Sequence, residues 1–193
     1  MMAAKPETIQ ASYVVRRGRR EDCDELLRLI WELADHEGTL QKPTITKEIL
    51  LEDAFGERPN LHFFVVELKG LEDNGDIREK MCVGFAAMNG FVTDIFWGRH
   101  SKLCGLYIDE GHRGNGLGRA LMKAVCKTCL DLGVASLDFD VRMNNQRARH
   151  FYSSLGVTNN TETKGWEYWQ FRDTNMKKFS SEPECLNGVK TQL

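Results

Sequence analysis

Residues 107–119 read Tyr107-Ile108-Asp109-Glu110-Gly111-His112-Arg113-Gly114-Asn115-Gly116-Leu117-Gly118-Arg119. An apolar strand end runs into a glycine-spaced basic loop, and the helix formers Ala120 to Val125 follow. Glycines at 114, 116 and 118 let the backbone turn tightly and present unpaired N–H groups at a helix start, where phosphate oxygens are held. Arg113 and Arg119 add formal positive charge. The segment reads as a pyrophosphate cradle held mainly by backbone. It lacks the closing Gly-Lys-Ser/Thr of a P-loop and the separate acidic ribose ligand of a dinucleotide unit, so a second element has to decide the fold.

That element lies downstream. Leu137, Phe139 and Val141 alternate as a strand, Asn145 and Ala148 follow, and Phe151-Tyr152 and Gly156 mark a helix and its stop. Together the two segments resemble the acetyl-CoA-binding half of the GNAT N-acetyltransferase family. The resemblance implies an α/β (α+β) fold: a mixed, mostly antiparallel sheet with helices on both faces and a splayed parallel strand pair.

The rest of the chain is compatible with one domain. The 193 residues, 41% hydrophobic, suffice for a single core. We read 1–12 as a disordered tail, 13–179 as the domain and 180–193 as a flexible tail. Expected strands are Tyr13 to Arg16, Leu61 to Leu68, Val83 to Phe91, Leu103 to Ile108, Ala135 to Val141 and Trp166 to Phe171. Expected helices are Glu21 to His36, Lys47 to Ala54, Arg119 to Leu132 and Arg147 to Leu155, with Lys69 to Lys80 a solvated loop. A net charge of -2, both signs interspersed, offers no footprint for nucleic acid or an anionic membrane. No run is apolar enough to span a bilayer or to serve as a signal peptide, and six scattered cysteines suit free thiols in the cytoplasm. Cys126 and Cys129 read as two small buried residues on one helix face, and no metal is implied.

Within the family, Cys23 to Ile30, Glu32-Leu33-Ala34 with Glu37, Leu51 to Pro59, and Gly165-Trp166 resemble the diamine (spermidine/spermine) and thialysine N-acetyltransferases. The resemblance implies an acetyl-CoA-dependent N-acetyltransferase that acts on a small primary amine (a thialysine-like amino acid, a monoamine or a diamine/polyamine) by direct transfer in a ternary complex, as a homodimer. Backbone groups of Leu106, Tyr107 and Ile108 would meet the pantetheine arm. Arg113, Gly114, Asn115, Gly116, Leu117, Gly118 and Arg119 would hold the pyrophosphate. Asn145, Gln146, Arg147 and Ala148 would contact the cofactor arm, and Tyr152 would be the general acid beside the sulfur. His36, Glu37, Asp94, Cys104, Asp140 and Lys164 fall on the substrate side, with Asp94 or Glu37 as the water-linked proton acceptor.

The departures from the family pattern bear on substrate. Where the diamine enzymes carry adjacent Glu-Asp before the glycine loop, this chain has Cys104 and Gly105, and an acidic position before Gly165-Trp166 is Lys164. Loss of carboxylates from a dication-binding groove disfavours polyamines, because each charged contact contributes ~1.5–3 kcal/mol. A thialysine-like amino acid or a monoamine is the better fit. The competing reading is a CoA-binding protein with little catalysis, serving as a sensor or binding module.

Overall fold

Runs of β-branched and aromatic residues build the sheet. In the computed structural model, which describes residues 12–38, 42–69, 81–96, 98–165 and 171–180, six strands form it: β1 (Ser12–Arg17), β2 (Leu61–Lys69), β3 (Met81–Asn89), β4 (Val92–Asp94), β5 (Gly98–Ile108) and β6 (Ser136–Asp138). The chain divides into two compact units, Met1–Asp140 and Val141–Leu193, and the whole sheet belongs to the first. β1, β2, β3 and β5 join antiparallel in that order, while β6 runs parallel to β5. β4 continues the register of β3 along β5: Ala87 faces Gly105, and Val92 faces His100. Since β3 and β4 share one edge of β5, β6 takes the other.

Strand alternation sorts the sheet residues between two helical layers. Phe63, Val65, Phe85 and Ala87 pack with Cys23, Leu26 and Leu29 of α1 (Cys23–His36) and Leu50 of α2 (Lys47–Phe55). The intervening Phe64, Val66, Ala86 and Met88 are buried as well. They face α3 (Leu117–Asp131), where the Met88 and Cys129 sulfurs lie 4.0 Å apart. Because helices cover both faces, β3 is buried continuously from Cys82 to Met88. The second unit holds α4 (Gln146–Ser153), α5 (Asn160–Lys164) and α6 (Asp173–Ser180).

The mixed sheet and its two helical layers match the sequence reading, with local differences. The strand expected over Ala135 to Val141 is only Ser136–Asp138, because its parallel ladder with β5 stops at the Lys102–Asp138 pair. The strand expected from Leu103 begins at Gly98, and its first residues pair with β4, an element absent from the reading. Arg20–Asp22 forms a 3-10 turn, so the first helix starts at Cys23 rather than Glu21. Cys126 is exposed and only Cys129 is buried, so they do not form a buried pair. Trp166 to Gln170, residues 70–80 and 181–193, and residues 1–11 lie outside the described residues.

The 3-10 turn is anchored electrostatically. Arg16 donates to both carboxylate oxygens of Asp22, at 2.6 and 2.8 Å, and through Nε to Glu67 at 2.7 Å. The Arg19 N–H also donates to Asp22, at 2.7 Å. Burial by itself would raise the Asp22 carboxyl, but the Arg16 and Arg19 hydrogen bonds outweigh it and hold the group below its ordinary 3.8. A carboxyl lowered in the folded state stabilises above its unfolded pKa, and the contribution is lost as pH falls through the folded value. Asp22→Asn is therefore expected to cost about 3 kcal/mol in urea unfolding at about pH 7, the low end for breaking a buried pair. The difference between variant and parent should shrink when the measurement is repeated near pH 2.

Candidate functional site

The site begins with the backbone of β5. Opposite Ala87 and Met88 the register jumps from Gly105 to Leu103, which leaves Cys104 as an extra residue in a bulge. Past the bulge, the Asp109 N–H donates to the Val83 carbonyl at 2.9 Å. In an antiparallel ladder such groups alternate between edges. Tyr107, paired with Phe85, therefore directs its backbone toward β3, whereas Leu106 and Ile108 direct theirs toward the opposite edge. β6 occupies that edge only from His100 to Lys102. Among the described residues no strand pairs with β5 beside Leu106 and Ile108 on that edge, whereas Tyr107 is paired with β3.

The glycine loop follows. Gly114 and Gly116 have φ of +87° and +76°, conformations that side chains with a Cβ adopt at a cost. Gly116 is the N-cap of α3, no side chain caps the helix, and its first turn contains no acidic residue. The leading N–H groups and the positive end of the helix are thus directed at the loop. Gly118 lies in the first turn of α3 rather than in the loop before it, so the helix starts at Leu117, two residues earlier than expected. Arg113 is committed locally: its Nε donates to the Ile108 carbonyl at 2.7 Å, Nη1 pairs with Glu110 at 3.0 Å, and the guanidinium lies 5.6 Å from the Tyr107 ring centroid. Its side chain is 12% exposed. Arg113 therefore braces the loop, and Asn115 does the same by donating to the His112 carbonyl at 3.0 Å. Arg119 stands in the first turn of α3.

On the α1 face of β5, the Cys104 thiol donates to Asn89 Oδ1 at 3.0 Å. It is exposed by surface area yet has protein around it, and burial pushes the thiol up, partly offset by Asn89 and Lys102. Such a thiol stays protonated at neutral pH. Gly105 faces the core: a Cβ there would sit 3.2 Å from the Phe85 ring and 3.4 Å from Leu33. A side chain at that position would require the Phe85 ring to give by a few tenths of an ångström. Asp94 Oδ1 accepts from the Phe96 N–H at 2.7 Å and thereby holds the turn between β4 and β5. Glu37 is exposed at the C-cap of α1, and the half-exposed His36 beside it approaches Glu110 at 3.7 Å. Asp140 pairs with Lys102 at 2.8 Å. Lys102 and Asn89 were missed by the sequence reading; Lys102 was legible in principle, since it stands two residues before Cys104, whereas Asn89 is brought to Cys104 only by strand pairing.

In the second unit, Asn145 N-caps α4 by accepting from the Ala148 N–H at 3.0 Å. Gln146, Arg147 and Ala148 form the first turn of that helix. Tyr152, one turn on, is half-buried, with its ring centroid 5.1 Å from that of Phe151. Lys164 ends α5 and is exposed.

Comparison with known proteins places this architecture. Residues 21–157 match the Acetyltransferase (GNAT) family. Thialysine N-epsilon-acetyltransferases are similar along almost their whole length: the Sus scrofa protein is 31% identical over 172 residues, 89% of this chain and 99% of its own, and the Bos taurus protein is 32% identical over the same coverage. Among solved structures, an aminoglycoside N-acetyltransferase in complex with CoA superposes with a TM-score of 0.62 at 15% identity, covering 86% of this chain and 97% of its own. The site described above supplies the matching test. CoA is expected to raise the melting temperature of the parent protein, and Gly116→Val to abolish that rise while costing about 1–2 kcal/mol of stability through its positive φ; thermal unfolding with and without CoA measures both.

Proposed function

The chain belongs to the GNAT N-acetyltransferase family, and on that premise we propose that it transfers acetyl from acetyl-CoA to a small primary amine, by direct transfer in a ternary complex. The observation that carries the reading is the open edge of β5 ending at an uncapped α3 N-terminus. The outward backbone groups of Leu106 and the N–H of Ile108 suit the amides of the pantetheine arm, the Ile108 carbonyl being engaged by Arg113, and the N–H groups at Leu117 to Arg119 suit the pyrophosphate. Both are backbone features, so they fit the cofactor whatever the acceptor. The bound cofactor supplies a thioester activated toward an amine, with a thiolate as leaving group.

The chain's own groups then handle protons. Tyr152 Oη carries a phenolic proton suited to a developing thiolate. The acceptor ammonium, of pKa ~10, must lose a proton at a cost of about 4 kcal/mol at pH 7, and a carboxylate reached through water serves that need. Asp94 and Glu37 are the carboxylates assigned to it, and the protonated Cys104 is a neutral donor rather than a base. The similarity to thialysine acetyltransferases and the replacement of two acids by Cys104 and Gly105 support a thialysine-like amino acid or a monoamine over spermidine as acceptor. The family match runs through the boundary between the two units, which supports one acetyltransferase domain over 13–179. A homodimer rests on the resemblance alone, and a location in the cytoplasm on the scattered cysteines of the sequence.

Steady-state kinetics over thialysine, a monoamine and spermidine test the reading: spermidine is expected to rank last in kcat/KM, and absence of turnover with every amine would instead favour a CoA-binding module. Tyr152→Phe should lower kcat by roughly 10–100-fold with little change in acetyl-CoA affinity. Cys104→Ala should be nearly silent, and a collapse of activity there would assign the proton chemistry to the thiol.

A further inference from the structure

We infer that Lys102 is a specificity-determining residue that selects acceptors carrying a carboxylate beside their ammonium groups. The inference rests on the acetyltransferase reading above and names the side chain that sorts its acceptors. Ser101 and Leu103 are buried toward α3, so by alternation Lys102 lies on the opposite face. Cys104 is on that face too, because its thiol reaches Asn89, which alternates with the α3-facing Met88. Lys102 also makes the last rung of the parallel ladder, with Asp138, where β6 ends and the open edge of β5 begins. A fixed cation therefore stands beside the bulge, near enough for its field to favour the Cys104 thiolate.

The charge around it is arranged in pairs. Lys102 Nζ meets Asp140 at 2.8 Å, with 43% and 73% of the two side chains exposed, and His100 Nε2 approaches Asp138 at 4.0 Å. An ion pair this exposed contributes little to stability, so its partners exchange for a ligand at low cost. The head of an α-amino acid carries the same two charges in opposite sense: its carboxylate replaces Asp140 at Lys102, while its ammonium replaces Lys102 at Asp140. A diamine offers only cations to this face and meets Lys102 with like charge. Removal of the acids at 104 and 105 and placement of a cation at 102 act in the same direction.

The test compares thialysine with the diamine left when its carboxyl group is removed, using the full chain. The wild type should favour thialysine in kcat/KM. Lys102→Gln should lower that preference about tenfold or more, the worth of one charged contact, and Lys102→Arg should retain most of it. KM for acetyl-CoA should stay near the wild-type value in both, whereas mere loosening of the sheet would raise it. A wild type that prefers the diamine, a preference unchanged in Lys102→Gln, or a loss confined to Lys164→Gln would overturn the inference and leave the acetyltransferase reading standing. Failure to acetylate any amine would overturn both.

Discussion

A β-strand has two edges, and each backbone N–H and C=O on them needs a partner or a ligand. β5 is the strand on which this constraint falls. β3 and β4 fill one edge along its length, and β6 fills the other only from His100 to Lys102. Among the described residues no strand lies beside the outward groups of Leu106 and Ile108, and the helix that follows has no side-chain cap on its first turn. One of these groups, the Ile108 carbonyl, is engaged by Arg113, and the same guanidinium pairs with Glu110 and covers Tyr107. The strand end, the loop and the helix start are thus braced as a single element, and the pieces suited to an amide-bearing, phosphorylated cofactor follow from incomplete pairing.

The bulge at Cys104 changes which residues face which layer. Before it, Ser101 and Leu103 face α3; after it, Gly105 and Tyr107 face α1. Without the extra residue the alternation would carry Tyr107 to the α3 layer and remove it from the cluster with Phe85 and Leu29. Tight packing of Gly105 against Phe85 and Leu33 follows from the same shift. Chemistry and packing are coupled here: the position that carries an acid in the diamine enzymes is, in this chain, a contact between sheet and helix.

Electrostatics then separate two kinds of carboxylate. Asp22 is buried and held by Arg16 and Arg19, so it serves the fold. Asp138 and Asp140 are exposed, 4.0 and 2.8 Å from His100 and Lys102, so their ion pairs contribute little to stability. Asp94 stands between these extremes, with one oxygen fixed by the turn it caps.

The sequence alone was enough for the family, the mixed sheet and the helix after the glycine loop, because each depends on local signals: residue period and glycine spacing. It was also enough to show that two acids are absent at 104 and 105. Tertiary structure decided what depends on pairing between distant segments. The short β6 and the added β4 are set by how far each ladder on β5 extends, the helical place of Gly118 by where α3 begins, and the local commitment of Arg113 by the carbonyl that turns toward it. The bulge at Cys104, the Asn89 partner of its thiol and the Lys102–Asp140 pair join residues whose separation along the chain hides their contact. Such contacts appear only once the sheet has assembled, since register is a property of two strands and neither sequence segment carries it alone.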